Sequence, residues 1–372
     1  MSGSRLKILL LGDYSNCHAN LAKGLRAIGH EVTLMRPMNY LSSSDVDIDI
    51  TRKPGKFGGL MLFAKAMGRW HKQMKGYDVV GFNDPNFISL KPGLLKIIFD
   101  RLRKDNKRLF YTAMSNDVNY LQMCALKDSP LKFSEFFVEG KPSPFYLENP
   151  QRWENWQLPA LVDYQNYFFD NIDGGVSILY EYHVGLRNRF EEEKIGYGGI
   201  PVDIENIPFV GAGAGEKVRI LLCQDRNRIK MKGSDLLEQA ALKVIDKHPG
   251  KLELAIAENL PYDIFVEELK KSDLILDQAY SYTPATTALI AMAMGKTVVS
   301  GGEHIFYEFI GEKDNFPIVN ASYDVALLEK AIEKTVLDKD FIKDNARKSR
   351  DFVEKHNDMK IVAQRFVDTW TR

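Results

Sequence analysis

Between Ser272 and Glu303 the sequence sets hydroxyls and free amides at a spacing suited to holding an anion. Thr283, Thr286 and Thr287 close a polar turn, Tyr280 to Pro284, or open a run of small and apolar residues at helical spacing, Thr286 to Met294, which Gly295 ends. Unpaired N–H groups and the positive end of the helix dipole favour phosphate at such a place. The competing reading is simple N-capping by a threonine, and both can hold at once. Upstream, Arg226, Arg228, Lys230 and Lys232 alternate through a loop ended by Gly233. They are either cations for an anion or a solvated basic loop, and alternation lets only two or three of them face one way.

The elements that must position these groups follow from the apolar pattern. Asp273 to Leu276 is a short apolar run of the kind a buried parallel strand shows, and Thr297 to Val299 is a β-branched strand. Around them, Val218 to Cys223 and Leu252 to Ala257 read as strands, and Ser234 to Lys247 and Pro261 to Lys270 as helices. Ile318-Val319 is a further strand, followed by helices from about Asp324 to Lys334, Asp340 to Lys355 and Met359 to Trp370. The first half alternates in the same way. Strands are expected at Leu6 to Leu11, Val32 to Met35, Tyr77 to Phe82, Arg108 to Thr112 and within Ile172 to Ile178, with helices at Leu21 to Ile28, Leu60 to Met74 and Leu94 to Arg103. Such alternation implies parallel sheets covered on both faces. Val118 to Asp170 is aromatic-rich and weakly periodic; it reads either as helices and loops inserted near a cleft or as an ordinary helical cover.

The chain of 372 residues is long enough for two cores. Ile200 to Gly215, with Pro201, Pro208 and Gly-Ala-Gly-Ala-Gly, is the best boundary and reads as a flexible hinge. The expected domains are therefore 1–205, with an insertion at about 118–170, then 206–356, and a terminal helix in 357–372 that crosses back onto the first domain. Lys+Arg and Asp+Glu number 50 each, so no global field draws the chain to nucleic acid. Cys17, Cys124 and Cys223 form no metal pattern and suit a reducing compartment, which favours the cytoplasm. No apolar run is long enough for a spanning helix.

Three pieces of the second half taken together resemble the donor domain of GT-B glycosyltransferases, in particular the large retaining group that uses nucleotide-diphospho-sugars. They are Arg226-Asn-Arg-Ile-Lys-Met-Lys232-Gly233-Ser234, Ser272-Asp273-Leu-Ile-Leu-Asp277-Gln278 and Ala291-Met-Ala-Met-Gly295-Lys296-Thr-Val-Val. The resemblance covers about Val218 to Val319 well. The first half matches more loosely, through its first strand, the loop Gly12 to Cys17 and Gly29-His30-Glu31-Val32. One departure stands out: where the family carries two glutamates around the donor turn, this chain has Tyr282 and Ile290. Some bacterial polysaccharide-synthesis members share the Tyr-Thr-Pro turn and the Gly-Gly-Glu that follows.

The resemblance implies a GT-B fold, two Rossmann-like domains facing a central cleft, and a metal-independent hexosyl transfer from a nucleotide-diphospho-sugar co-substrate to a glycan or lipid-linked glycan. No cofactor or metal is expected. Charge developing on the leaving diphosphate would fall to Arg228 and Lys232, with Arg226, Lys230, Gly233, Thr283, Thr286 and Thr287 around it. Glu303, after Gly302, would replace a lost glutamate at ribose or sugar, or else cap the helix from His304. Glu258 would lie near base or ribose, and Asp277 and Tyr282 would line the donor turn, Asp277 equally well as a structural group. In the first half Gly12, Asp13 and Asn16 form either a donor-side loop or a tight turn. Asn116 and Asp117 follow a strand end, where Asp117 could orient or deprotonate the acceptor hydroxyl. His18 and His183 read better as satisfied core residues.

Two further expectations concern partners. Arg52 to Lys75 is basic, with Met61, Leu62, Phe63, Met67 and Trp70 interleaved, which suits either a peripheral anionic membrane contact on the inner face or a solvated helix. The missing glutamates keep two other functions open: a degenerate sugar-nucleotide-binding or partner-binding protein, and a nucleotide-sugar 2-epimerase.

Overall fold

The computed structural model describes residues 5–38, 46–213 and 215–372. They form two compact units. The first contains the residues up to Met123, Gln151–Pro201 and Met359–Arg372; the second contains Cys124–Pro150 and Val202–Asp358.

The first unit is built on a seven-stranded sheet. Its strands in chain order are β1 (Lys7–Leu11), β2 (Glu31–Arg36), β3 (Ile48–Asp49), β4 (Val79–Phe82) and β5 (Arg108–Ala113). A short antiparallel pair of the second unit, β6 (Phe137–Val138) and β7 (Lys141–Pro142), intervenes before β8 (Gly174–Ser177) and β9 (Ile195–Tyr197) complete the sheet. The order is β3-β2-β1-β4-β5-β8-β9, with every pairing parallel. Residues Ile8 to Leu11 of β1 are fully buried, as a strand covered on both faces requires.

The second unit has a five-stranded parallel sheet of β10 (Val218–Gln224), β11 (Leu252–Glu258), β12 (Leu274–Leu276), β13 (Thr297–Ser300) and β14 (Val319–Asn320), in the order β11-β10-β12-β13-β14. Helices Ser234–Lys247 and Val325–Leu337 cover one face; Leu237, Ala240, Ala241 and Val244 meet Leu328 and Ile332 in its core. Both sheets place all strand carboxyl ends along one edge, where open α/β folds bind ligands.

The pattern of the sequence finds most elements. It misses β3 and β9, which have two and three residues and so carry no readable period. The helix expected over Leu60 to Met74 is the shorter Gly58–Met67. The aromatic stretch expected as one insertion in the first domain divides instead. Cys124–Pro150 belongs to the second unit, whereas helix Pro159–Asp170 packs Phe168 and Phe169 against Phe82, Phe99 and Tyr111 of the first.

The expected hinge is tied down from Val202 onward. Val202 N–H donates to Asn357 O, the amides of Val210 and Gly211 both donate to Met294 O, and the buried Lys296 ammonium donates to Gly211 O at 2.7 Å. Ala214 of the glycine-rich run lies outside the described residues. The last helix, Met359–Trp370, belongs to the first unit, where it packs on helix Cys17–Ala27 with Phe366 and Trp370 buried. Arg108 donates to the carbonyl of Trp370.

Candidate functional site

In the second unit the basic loop follows β10, and the hydroxyl-rich turn follows β12, its neighbour. Helix Ile229–Lys232 is stopped by Gly233, and Ala279 N–H donates to Lys232 O at 2.8 Å, so loop and turn meet at the sheet edge. Each of the four cations has a carboxylate within ion-pair distance. Arg226 donates through Nε to Glu258 Oε1 at 2.8 Å; Arg228 lies 3.6 Å from Asp225; Lys230 lies 2.8 Å from Asp235 and 3.7 Å from Glu148. Lys232 alone turns toward the sheet, with Nζ 3.9 Å from Oδ1 of the fully buried Asp277.

Asp277 extends β12 beside the end of β13. Its Oδ2 accepts from Ser300 Oγ at 2.9 Å, and its Oδ1 has no hydrogen-bond partner among the described residues. The negative charge is felt next door: burial, and after it Asp277, pushes the Cys223 thiol well above the ordinary thiol range.

The turn after β12 is fixed from two sides. Ser281 Oγ donates to Thr283 O at 2.7 Å, and Gly301 lies flat against it; a Cβ on Gly301 would sit 2.5 Å from Ser281 O and 2.6 Å from Thr283 N. Tyr282 is buried: its ring stacks on Phe133 at 4.3 Å, and its hydroxyl accepts from the amides of Lys132 and Phe133. The helix opens at Thr286 with Ala285 in the cap position and no side-chain cap, so Thr286 and Thr287 occupy the first helical positions rather than capping. Glu303 precedes helix His304–Ile310, likewise without a side-chain cap. Its Oε1 accepts from Asn320 Nδ2 at 2.7 Å, and Gly302 N–H donates to Asn320 Oδ1 at 2.9 Å. The structure thus brings Lys232, Gly233, Asp277, Tyr282, Thr283 and Glu303 to one edge of one sheet. Glu258 and Arg226 pair one strand further out, on the far side of β10.

Sequence reading missed Ser300 and Asn320. Each ends a strand of this sheet and holds a carboxylate, and a polar residue at the carboxyl end of a parallel strand is the signal that could have found them.

The first-half candidates occupy a different setting. Asp13 and Arg36 form a buried ion pair, N to O 2.5 Å, and Asp13 also accepts from the amides of His18 and Ala19. Asn16, at φ 59°, accepts from Arg36 at 2.9 Å. This network holds the start of helix Cys17–Ala27. His18 is fully buried: Nδ1 lies 2.8 Å from Gly12 O and Nε2 3.0 Å from Thr112 Oγ1. A carbonyl can only accept, so Nδ1 carries the proton, and burial lowers the imidazole pKa to about 4. His183, beside Ser177, is likewise lowered to about 4 by burial.

Asp117 is buried and its oxygens are engaged. They accept from the amides of Asn119 and Tyr120 and, at 2.8 Å, from the Tyr111 hydroxyl, so the carboxylate holds the first turn of helix Val118–Ala125. Burial raises its pKa to about 6. Asn116 beside it is half-buried. Among the described residues no group of three or more His, Cys, Asp or Glu side chains is arranged to hold a metal.

No family model and no curated protein matches this sequence. Solved structures do match in shape. HepE of Anabaena, in complex with UDP and glucose, superposes with TM-score 0.58 at 13% identity, over 99% of this chain and 100% of that one. Sucrose-phosphate synthase of Thermosynechococcus elongatus gives 0.62 at 15%, over 99% and 98%. A putative UDP-N-acetylglucosamine 2-epimerase of Listeria monocytogenes gives 0.51 at 12%, over 98% and 95%. At these identities the likeness speaks for architecture, and with two parallel α/β units it establishes that this chain has the GT-B fold.

Proposed function

We propose that the protein is a glycosyltransferase that moves a hexosyl group from a nucleotide-diphospho-sugar to a hydroxyl of a glycan or lipid-linked glycan, with retention and without a metal. The observation that carries the reading is the convergence of Lys232, the one loop cation facing the sheet, with the turn that delivers the helix at Thr286. The donor diphosphate lies between them. When the glycosidic bond breaks, the electron pair goes to a phosphate oxygen. Lys232 and the helix amides stabilise that charge, and Arg228 assists by leaving its exposed contact with Asp225. Thr283, Thr286 and Thr287 orient the phosphates, and Gly233 keeps the loop close to the turn. Glu303 takes the ribose or sugar hydroxyls in place of the absent glutamates, while Glu258, with Arg226, faces the base or ribose.

Calorimetric titration with UDP, GDP and other nucleoside diphosphates tests this first. Micromolar binding of one of them is expected, and binding of none would remove the reading. A 2-epimerase is the second reading, favoured by the shape match to such a protein. It would change the donor sugar with no acceptor present, which product analysis distinguishes.

We further propose peripheral attachment to an anionic membrane on the cytoplasmic side. Residues 51–76 contain seven Lys and Arg and no acid. Phe57, Leu60 and Met61 are exposed there beside Lys53 and Lys56. No helix among the described residues is long and apolar enough to cross a membrane. Sedimentation with vesicles containing phosphatidylserine should carry the protein down, and vesicles of phosphatidylcholine should not.

A further inference from the structure

A cavity of about 710 Å³ lies within the first unit, among the loops after β1 and β4. Its wall joins Gly12, Asn83 and Asn86 to Arg52, Lys91 and Trp156. Of these, the sequence pointed to Gly12 as a loop residue, to Arg52 within the basic stretch and to Trp156 within the aromatic-rich one, but not to their meeting in one wall. The chemistry of this wall is specific in three respects.

Asn83 is 3% exposed, and its buried Oδ1 makes no hydrogen bond among the described residues. It rests on Gly12, where a Cβ would lie 1.8 Å from Asn83 Oδ1; the glycine, at φ +75°, makes room for the amide. A buried amide oxygen without a partner in a native fold calls for an explanation, and a donor on a ligand in the adjoining cavity is one. Asn86 donates through Nδ2 to Asp84 at 3.1 Å, which leaves its oxygen to accept.

The charge on the wall is unbalanced. Arg52 and Lys91 have no carboxylate partner among the described residues; Arg52 makes one long bond, 3.5 Å, to Ser89 O. The one acid on the wall, Asp13, is committed to Arg36. Helix Pro92–Asp105 begins on the same wall, and its amino end adds positive potential. Trp156 and Phe87 supply apolar surface between these polar groups.

We infer that this cavity binds a carbohydrate bearing an anionic group, carboxylate or phosphate. Arg52 and Lys91 hold the anion, and the Asn83 and Asn86 carboxamides take hydroxyls. Only the naming of this ligand as the acceptor rests on the transferase reading.

The test uses the full chain and three probes, glucose, glucuronate and glucose 6-phosphate, titrated calorimetrically, with UDP titrated separately. Glucuronate or glucose 6-phosphate should bind at least about tenfold more tightly than glucose; the tighter of the two identifies the anion as carboxylate or phosphate. The double variant Arg52→Ala/Lys91→Ala changes two exposed side chains and should abolish the preference while leaving UDP affinity unchanged. Asn83→Leu should weaken all three sugars together. Equal binding of the three sugars, binding of none, or a preference that survives in the double variant would overturn the inference. Failure of UDP alone to bind would count against the transferase reading and leave the cavity's ligand standing.

Discussion

Lys232 Nζ stands 3.9 Å from Asp277 Oδ1, a carboxylate oxygen that is buried and otherwise without a partner. Ser300 holds the other oxygen, and Lys232 faces the sheet edge while Arg226, Arg228 and Lys230 pair with acids elsewhere. On the proposed transferase reading, this is the cation set to meet the charge of a leaving diphosphate.

Replacing Lys232 by alanine should lower the transfer rate by roughly 10²–10³-fold, the usual loss when one stabiliser of developing charge is removed. Single-turnover kinetics with the preferred donor would measure it. A rate within about threefold of the parent would take Lys232 out of the chemistry.

Gly301→Ala should displace the turn after β12, because the new methyl would meet backbone atoms of Ser281 and Thr283 rather than a side chain able to swing aside. Overpacking of this kind costs about 1–3 kcal/mol. Urea unfolding should show that loss together with weaker nucleoside diphosphate binding. Unaltered nucleotide affinity would mean that the turn does not touch the donor.

Asp117→Ala should destabilise the first unit by about 1–2 kcal/mol through loss of the N-terminal bonds of helix Val118–Ala125. Asp117→Asn keeps one carbonyl oxygen to accept those bonds and should lose less. Denaturant midpoints decide the stability difference. Acceptor-dependent kinetics on the asparagine variant decide the chemistry, since a general base at this position predicts loss of transfer without loss of fold.

His18 is neutral and buried, with a folded pKa of about 4 against an ordinary value near 6.5. Between those values the unfolded chain binds the proton and the folded chain does not. The histidine's contribution to stability is therefore present above about pH 6.5 and falls as pH drops toward 4, by up to about 1.4 kcal/mol per pH unit. His18→Gln should flatten this part of the stability profile relative to the parent. Comparing the two proteins by denaturant unfolding from pH 7 to 4 isolates the group from Asp13 and Asp117, whose raised values act in the opposite sense.

Deleting residues 359–372 should destabilise the first unit, since Phe366 and Trp370 are buried there and the Trp370 carbonyl holds Arg108. A lower melting temperature of the shortened chain is the expected readout. An unchanged melting curve would show that the helix is dispensable.

The alternating strands and helices were legible because each buried parallel strand must be an unbroken apolar run and each covering helix must repeat at 3.6 residues. Ile8 to Leu11, Ser234 to Lys247 and Met359 to Trp370 obey these rules locally. The turn before Thr286 and the helix start after it were legible for the same reason, as a property of neighbours in sequence. What depended on distant partners was not. Nothing local says that Tyr282 spends its hydroxyl on Lys132 and Phe133, that Asp13 is locked to Arg36, or that Lys232 rather than Arg226 faces Asp277. Those assignments come from hydrogen bonds and ion pairs that tens or more residues of chain must fold to bring together. Side-chain commitment at a site is decided by such closures, whereas periodicity records only which face of an element is buried.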